Sequence, residues 1–115
     1  MDEIILVKES IKLEALKKIA KERGSNLVKA VVDVKENIMA IGGAMHADEE
    51  KFLIEQGSIQ EDLWGINVHP DSLRENWIEF DSMINIRPTQ GNTSREVLDQ
   101  SVRDQMAEIV NKLLK

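Results

Sequence analysis

Glu79 and Asp81 stand two residues apart in "WIEFDSMINIRPTQGNTSR", Trp77 to Arg95. If this stretch is a strand, alternation projects both carboxylates from one face, about 7 Å apart along the chain. Oxygen ligands of that kind suit a hard divalent cation, Mg²⁺ or Ca²⁺. The same pair serves as general acid and base where burial raises one pKa. Asn67 is expected across the sheet from Glu79, with Gly65 leaving space beside Asp81. Asn85 and Arg87 share the polar parity, and Arg87 can neutralise a carboxylate or hold an anionic ligand. The competing explanation is a solvated sheet face, since antiparallel sheets commonly alternate apolar-in and polar-out.

The stretch ends in "RPTQGNTSR", where Gln90, Asn92, Thr93, Ser94 and Arg95 crowd donors and acceptors into one loop. A helix starting near Ser94 would add free backbone N–H groups, and the whole could hold a phosphate or carboxylate. It is not a Walker loop, because the Gly-Lys-Ser/Thr ending is missing. Here the alternative is a turn and helix cap whose side chains satisfy local backbone.

A third candidate is "IGGAMHADEE". The Gly-Gly turn before a helix suggests a phosphate loop. However, Asp48, Glu49 and Glu50 fill the first helical turn and would repel a phosphate. His46 with Asp48 can instead ligate a metal, or His46 can carry a proton near neutral pH. No HExxH spacing and no Ser-His-Asp order is present.

Alternating strands and helices must position these groups. "EIILVK" (3–8) reads as a strand, and Ser10 can cap a helix ending at Gly24, with Leu13, Leu16, Ile19 and Ala20 as its buried stripe. "LVKAVVDVK" (27–35) puts Val28, Ala30, Val32 and Val34 inward and returns through a turn at Glu36 and Asn37 into a strand from Ile38. A short helix over 47–56, a strand over 63–68 and a fifth strand over 77–87 follow. Parity sets Val68 opposite Ile78 and Asn67 opposite Glu79. The last helix starts at Asp99 or Ser94 and buries Val102, Met106, Ile109, Val110 and Leu113. The order gives an α+β fold: a two-layer sandwich, a mostly antiparallel sheet of about five strands with helices on one face. The first six elements follow the ferredoxin-like βαββαβ pattern, with an added strand and C-terminal helix.

The 115 residues fit one domain, 1–115. With only two Trp and two Phe, the core must be mainly aliphatic. A net charge of −6 opposes general nucleic-acid binding. The chain has no cysteine, which excludes disulfides and thiol chemistry and fits a reducing compartment. No apolar run reaches membrane-spanning length, and "MDEIILVKES" is not a secretory signal, so a cytoplasmic protein without a membrane partner is expected.

"VVDVKENIMAIGGAMHADEE", "QGSIQEDLWGIN" and "WIEFDSMINIRPTQGNTSR" resemble a family of small prokaryotic proteins classed only as a domain of unknown function. The likeness runs from about Leu27 to the end of the last helix. It implies a small stand-alone prokaryotic protein and brings no activity or catalytic residue with it.

Two functions are therefore carried forward, with enzymatic activity left open. One is binding of a small anionic ligand or divalent cation on the polar sheet face and the 87–95 loop. The other is a protein–protein interaction or regulatory module acting as a homodimer, with an exposed Trp77 or an open strand edge as its contact.

Overall fold

The computed structural model describes residues 3–115. Its elements are β1 (Ile5–Val7), α1 (Leu13–Glu22), β2 (Val28–Asp33), β3 (Ile38–Ile41), α2 (His46–Glu55), β4 (Leu63–Val68), β5 (Ile78–Glu79) and α3 (Gln100–Leu113). The five strands form one antiparallel sheet in the order β1-β3-β2-β4-β5, and the fold is α+β.

The β2–β3 hairpin is built on Asp33, which is buried. Its Oδ1 accepts the backbone N–H groups of Lys35 and Glu36, and its Oδ2 accepts the Ser58 hydroxyl at 2.6 Å. An aspartate that bonds its own following backbone is a turn former, which replaces the missing Asn-Gly pair. Asn37 closes the turn with φ of 58°, a conformation asparagine tolerates.

Strand pairing corrects the ferredoxin-like arrangement. That arrangement needs β4 beside β1 and both crossover helices on one face. Instead β4 pairs with β2 over six residues, Val28↔Val68 to Asp33↔Leu63. β1 has only three residues and offers a shorter partner. The consequence is topological. β1 to β2 steps across β3, and β3 to β4 steps across β2 in the same direction along the sheet, but with strands running the opposite way. Crossovers between parallel strands are right-handed with few exceptions. Right-handed paths then place α1 and α2 on opposite faces.

Core membership agrees. Val28, Ala30, Val32, Trp64, Ile66 and Val68 pack with Leu16 and Ala20 of α1 and with Met106, Ile109, Val110 and Leu113 of α3. Val31, Ala40 and Leu63, of the other parity, pack with Leu53 and Phe52 of α2. The helices thus cover both faces, and the sheet is the middle of three layers.

Ser10 is not the α1 cap: the N-cap is Lys12, without a side-chain bond. Asp99 does cap α3, accepting the Ser101 N–H, so α3 does not begin at Ser94. Among the described residues, no helix is long and apolar enough to cross a membrane.

Candidate functional site

The fifth strand is much shorter than its alternation implies. β5 pairs Val68↔Ile78 and Asn67↔Glu79, the expected register, and then stops. Asp81 bridges to Glu96, and Ser82 turns the chain by accepting the Ile84 N–H on its hydroxyl. The apolar residues therefore divide. Ile78 and Phe80 join the α1–α3 core, Ile84 joins the α2 core, and Ile86 is exposed. The space beside Gly65 is already filled: a Cβ there would lie 2.6 Å from both Cβ and Oγ of Ser82.

Side chains take the place of the missing strand. The Asn85 carboxamide accepts the Gly65 N–H at 2.8 Å and donates to the Gly65 carbonyl at 3.0 Å, as a paired peptide group would. It also donates to the Arg95 carbonyl. Arg87 caps the next position, donating to the Leu63 carbonyl at 2.5 Å and to the Gln60 carbonyl at 2.8 Å. Its remaining N–H groups reach Ile84, Gln90 and the Glu50 carboxylate, and its guanidinium sits over the Trp64 ring. Asn92 donates to the carbonyls of Asn85, Ser94 and Glu96 and accepts the Leu98 N–H. Gln90 donates to the Glu61 carbonyl. The polar groups of Asn85, Arg87 and Asn92 are thus engaged by the protein's own chain. Sequence reasoning saw donors without seeing their partners.

The acids are also held. Arg95 grips Asp81 through two bonds of 2.8 and 3.3 Å. Glu79 accepts from Asn67 at 3.0 Å and lies 3.2 Å from His69 Nε2, and these two hydrogen bonds, Asn67 first, lower its pKa. Among the described residues, no three His, Cys, Asp or Glu side chains gather as a metal site. His46 is half-buried, while Asp48 is exposed at the start of α2.

The register gathers a different set. One row across the sheet reads Lys29, Asn67 and Glu79 on the α2 side, with Gly42 following the end of β3. His46, at the first turn of α2, stands over it with Nε2 2.7 Å from the Ile66 carbonyl oxygen. A carbonyl only accepts, so Nε2 carries the proton and Nδ1 is the basic atom of the ring. Burial, more than any other cause, lowers the His46 pKa, with Lys29 adding to it. The ring is therefore neutral at pH 7. The Asn67 Oδ1 is buried without a hydrogen-bond partner among the described residues.

Beside this row a cavity of about 260 Å³ opens between the end of α1 and the segment 42–44. Ile19, Arg23, Ser25, Lys29, Gly42 and Gly43 line it, and among the described residues its lining includes no Asp or Glu. Lys29 is half-buried and has no ion pair among the described residues. Arg23 donates to the Gly42 carbonyl.

Behind Gly43 lies a group that no pattern in the sequence singles out. Glu49 is fully buried. Its Oε2 accepts the Gly43 N–H at 3.0 Å, and its Oε1 has no partner among the described residues. Burial pushes its pKa up to about 9, against the opposing pull of the Gly43 N–H, Arg23 and Lys29. Glu49 is thus a neutral acid at pH 7. Its signal in the sequence was indistinguishable from Asp48 and Glu50, the other acids of a helical first turn.

Trp77 is covered by its own chain at 6% exposure. Its ring N–H donates to the Ser72 carbonyl at 3.0 Å, and Arg74 lies over the ring.

No curated protein and no solved structure matches the chain. The sequence model of the family described as "Protein of unknown function (DUF5674)" matches residues 5–113, nearly the whole chain, and the protein belongs to that family.

Proposed function

We propose that this protein binds a small anionic molecule, a carboxylate or a phosphate ester, in the cavity between the end of α1 and Gly42–Gly43. Lys29 carries the reading. Lys29 is half-buried, lines the cavity and has no ion pair among the described residues, and an anion there would supply its counter-charge. Arg23 contributes a second positive charge at the same cavity. Ile19 supports an apolar contact for the body of the ligand.

The geometry favours this place over the 87–95 loop and over a divalent cation. The loop's guanidinium and carboxamides already bond backbone. A cation at Glu79 and Asp81 would have to displace Arg95 from Asp81 and compete with Asn67 and His69 for Glu79. The interaction-module reading loses one of its two expected contacts with Trp77 inside the protein.

Calorimetric titration at low salt with sulfate, phosphate and small carboxylates tests the proposal. Lys29→Gln should weaken binding at least about tenfold, which is about 1.4 kcal/mol. Equal affinity in the variant and the parent protein would sink the reading.

A further inference from the structure

Glu49 and a bound anion would claim the same two cations. Arg23 and Lys29 line the cavity, and both act on Glu49. Gly43 lies between the carboxyl and that cavity: it lines the space on one side, and a Cβ on it would lie 2.8 Å from Glu49 Cγ. There is no room for the carboxyl to withdraw, since its Oε2 is tied to the Gly43 N–H and its Oε1 is sealed from solvent.

We infer that Glu49 is a proton-dependent gate on the anion site: the cavity takes its ligand while Glu49 is neutral, and an ionised Glu49 excludes it. The inference rests on the anion-binding reading above and adds its regulation. The charges that reach Glu49 come from three elements: Arg23 at the end of α1, Lys29 on β2, and Asp48 beside it on α2. Ionised Glu49 would place a negative charge against the pair of cations the ligand needs, and like charges in a partly buried space repel strongly. Burial of the carboxyl keeps it protonated at pH 7, so the site is open under those conditions and closes as pH rises past about 9. By linkage, the anion must raise the affinity of Glu49 for its proton by the factor that the proton raises the affinity for the anion.

Sulfate is the probe, because its charge is constant across this range. Affinity is measured by calorimetry at about pH 7 and about pH 9.5 for the parent protein, Glu49→Gln and Lys29→Gln. The parent protein should lose about fourfold in affinity at the higher pH, because about a quarter of Glu49 stays protonated half a unit above a pKa of about 9, and Glu49→Gln should keep its affinity there. The same pH loss in both proteins would overturn the gate, because it would then belong to Lys29 and general charge. If Glu49→Gln does not fold, titration of the parent protein near pH 9 in buffers of different ionisation enthalpy replaces it. Proton uptake on sulfate binding supports the gate, and none overturns it. Lys29→Gln separates the two ideas: unchanged binding in that variant defeats the anion site itself, whereas loss of binding there with a pH-independent parent defeats only the gate.

Discussion

The Asn85 side chain pairs with both backbone groups of Gly65, twenty residues away, with bonds of 2.8 and 3.0 Å. β4 therefore has a partner on each side along its length, but beyond Glu79 the outer partner is a carboxamide and a guanidinium in place of a strand. Asn85 and Arg87 satisfy that edge.

Asn85→Ala should be among the most damaging single changes. It strands the N–H and carbonyl of Gly65 in a buried place, and an unsatisfied buried polar group costs about 1–3 kcal/mol. A loss of about 3 kcal/mol in urea denaturation is expected. A loss under about 1 kcal/mol would mean that water reaches the edge and the carboxamide is dispensable.

Arg87 and Arg95 offer an internal comparison. Arg87 is buried and uses its whole fork, whereas Arg95 pairs with Asp81 at the surface. A lysine cannot reproduce a planar five-donor fork. Arg87→Lys should cost about 2–3 kcal/mol. Arg95→Ala should cost far less than that, as the loss of an exposed ion pair does. Similar costs for the two in parallel denaturation curves would refute the brace.

Glu49 predicts a pH dependence of stability. Its pKa is raised from 4.5 to about 9 by burial, so between those values the folded protein binds more protons than the unfolded chain. Stability contributed by the neutral acid is full below about pH 4.5 and is lost as pH rises toward 9. Glu49→Gln stays neutral and avoids that loss. Melting temperatures of the two proteins should lie close at pH 4 and separate in favour of the variant as pH rises, by several degrees at pH 8. Parallel profiles would show that the carboxyl ionises freely.

Gly65→Ala should destabilise by about 1–3 kcal/mol, because the new methyl meets Ser82 at 2.6 Å in a packed place. Ser82→Gly removes both clashing atoms. The double variant should then lose less than the sum of the singles, and strict additivity would show that the two residues do not compete for one space.

How much of this was legible in the sequence follows from the range of each signal. Period-two alternation in Val28–Val34 and helical periodicity in Val102–Leu113 are local, and both elements stand where they were expected. The Asn67↔Glu79 pairing followed from parity alone. What failed was long-range. The choice of β2 over β1 as the partner of β4 depends on comparing ladders that alternation does not rank, and it decided the side on which α2 lies. The fifth strand failed for a related reason. Ile84 and Ile86 keep the alternation, but Ser82 turns the chain first, so the same apolar letters serve two different cores. In the site, Lys29 carried no motif. It matters because of what surrounds it, which only the fold supplies.

The carboxamide and guanidinium along β4 also determine what can join the sheet. An unpaired strand edge is a template on which another chain can continue the ladder, the route to edge-to-edge polymerisation. At Leu63 and Gly65 that template is already occupied by groups from the same chain, and those groups project no further row of N–H and C=O for an incoming strand to read. The polar stretch that looked like a binding loop covers, on this side of the molecule, the strand edge that an incoming chain would pair with, and loosening it by mutation would expose that edge.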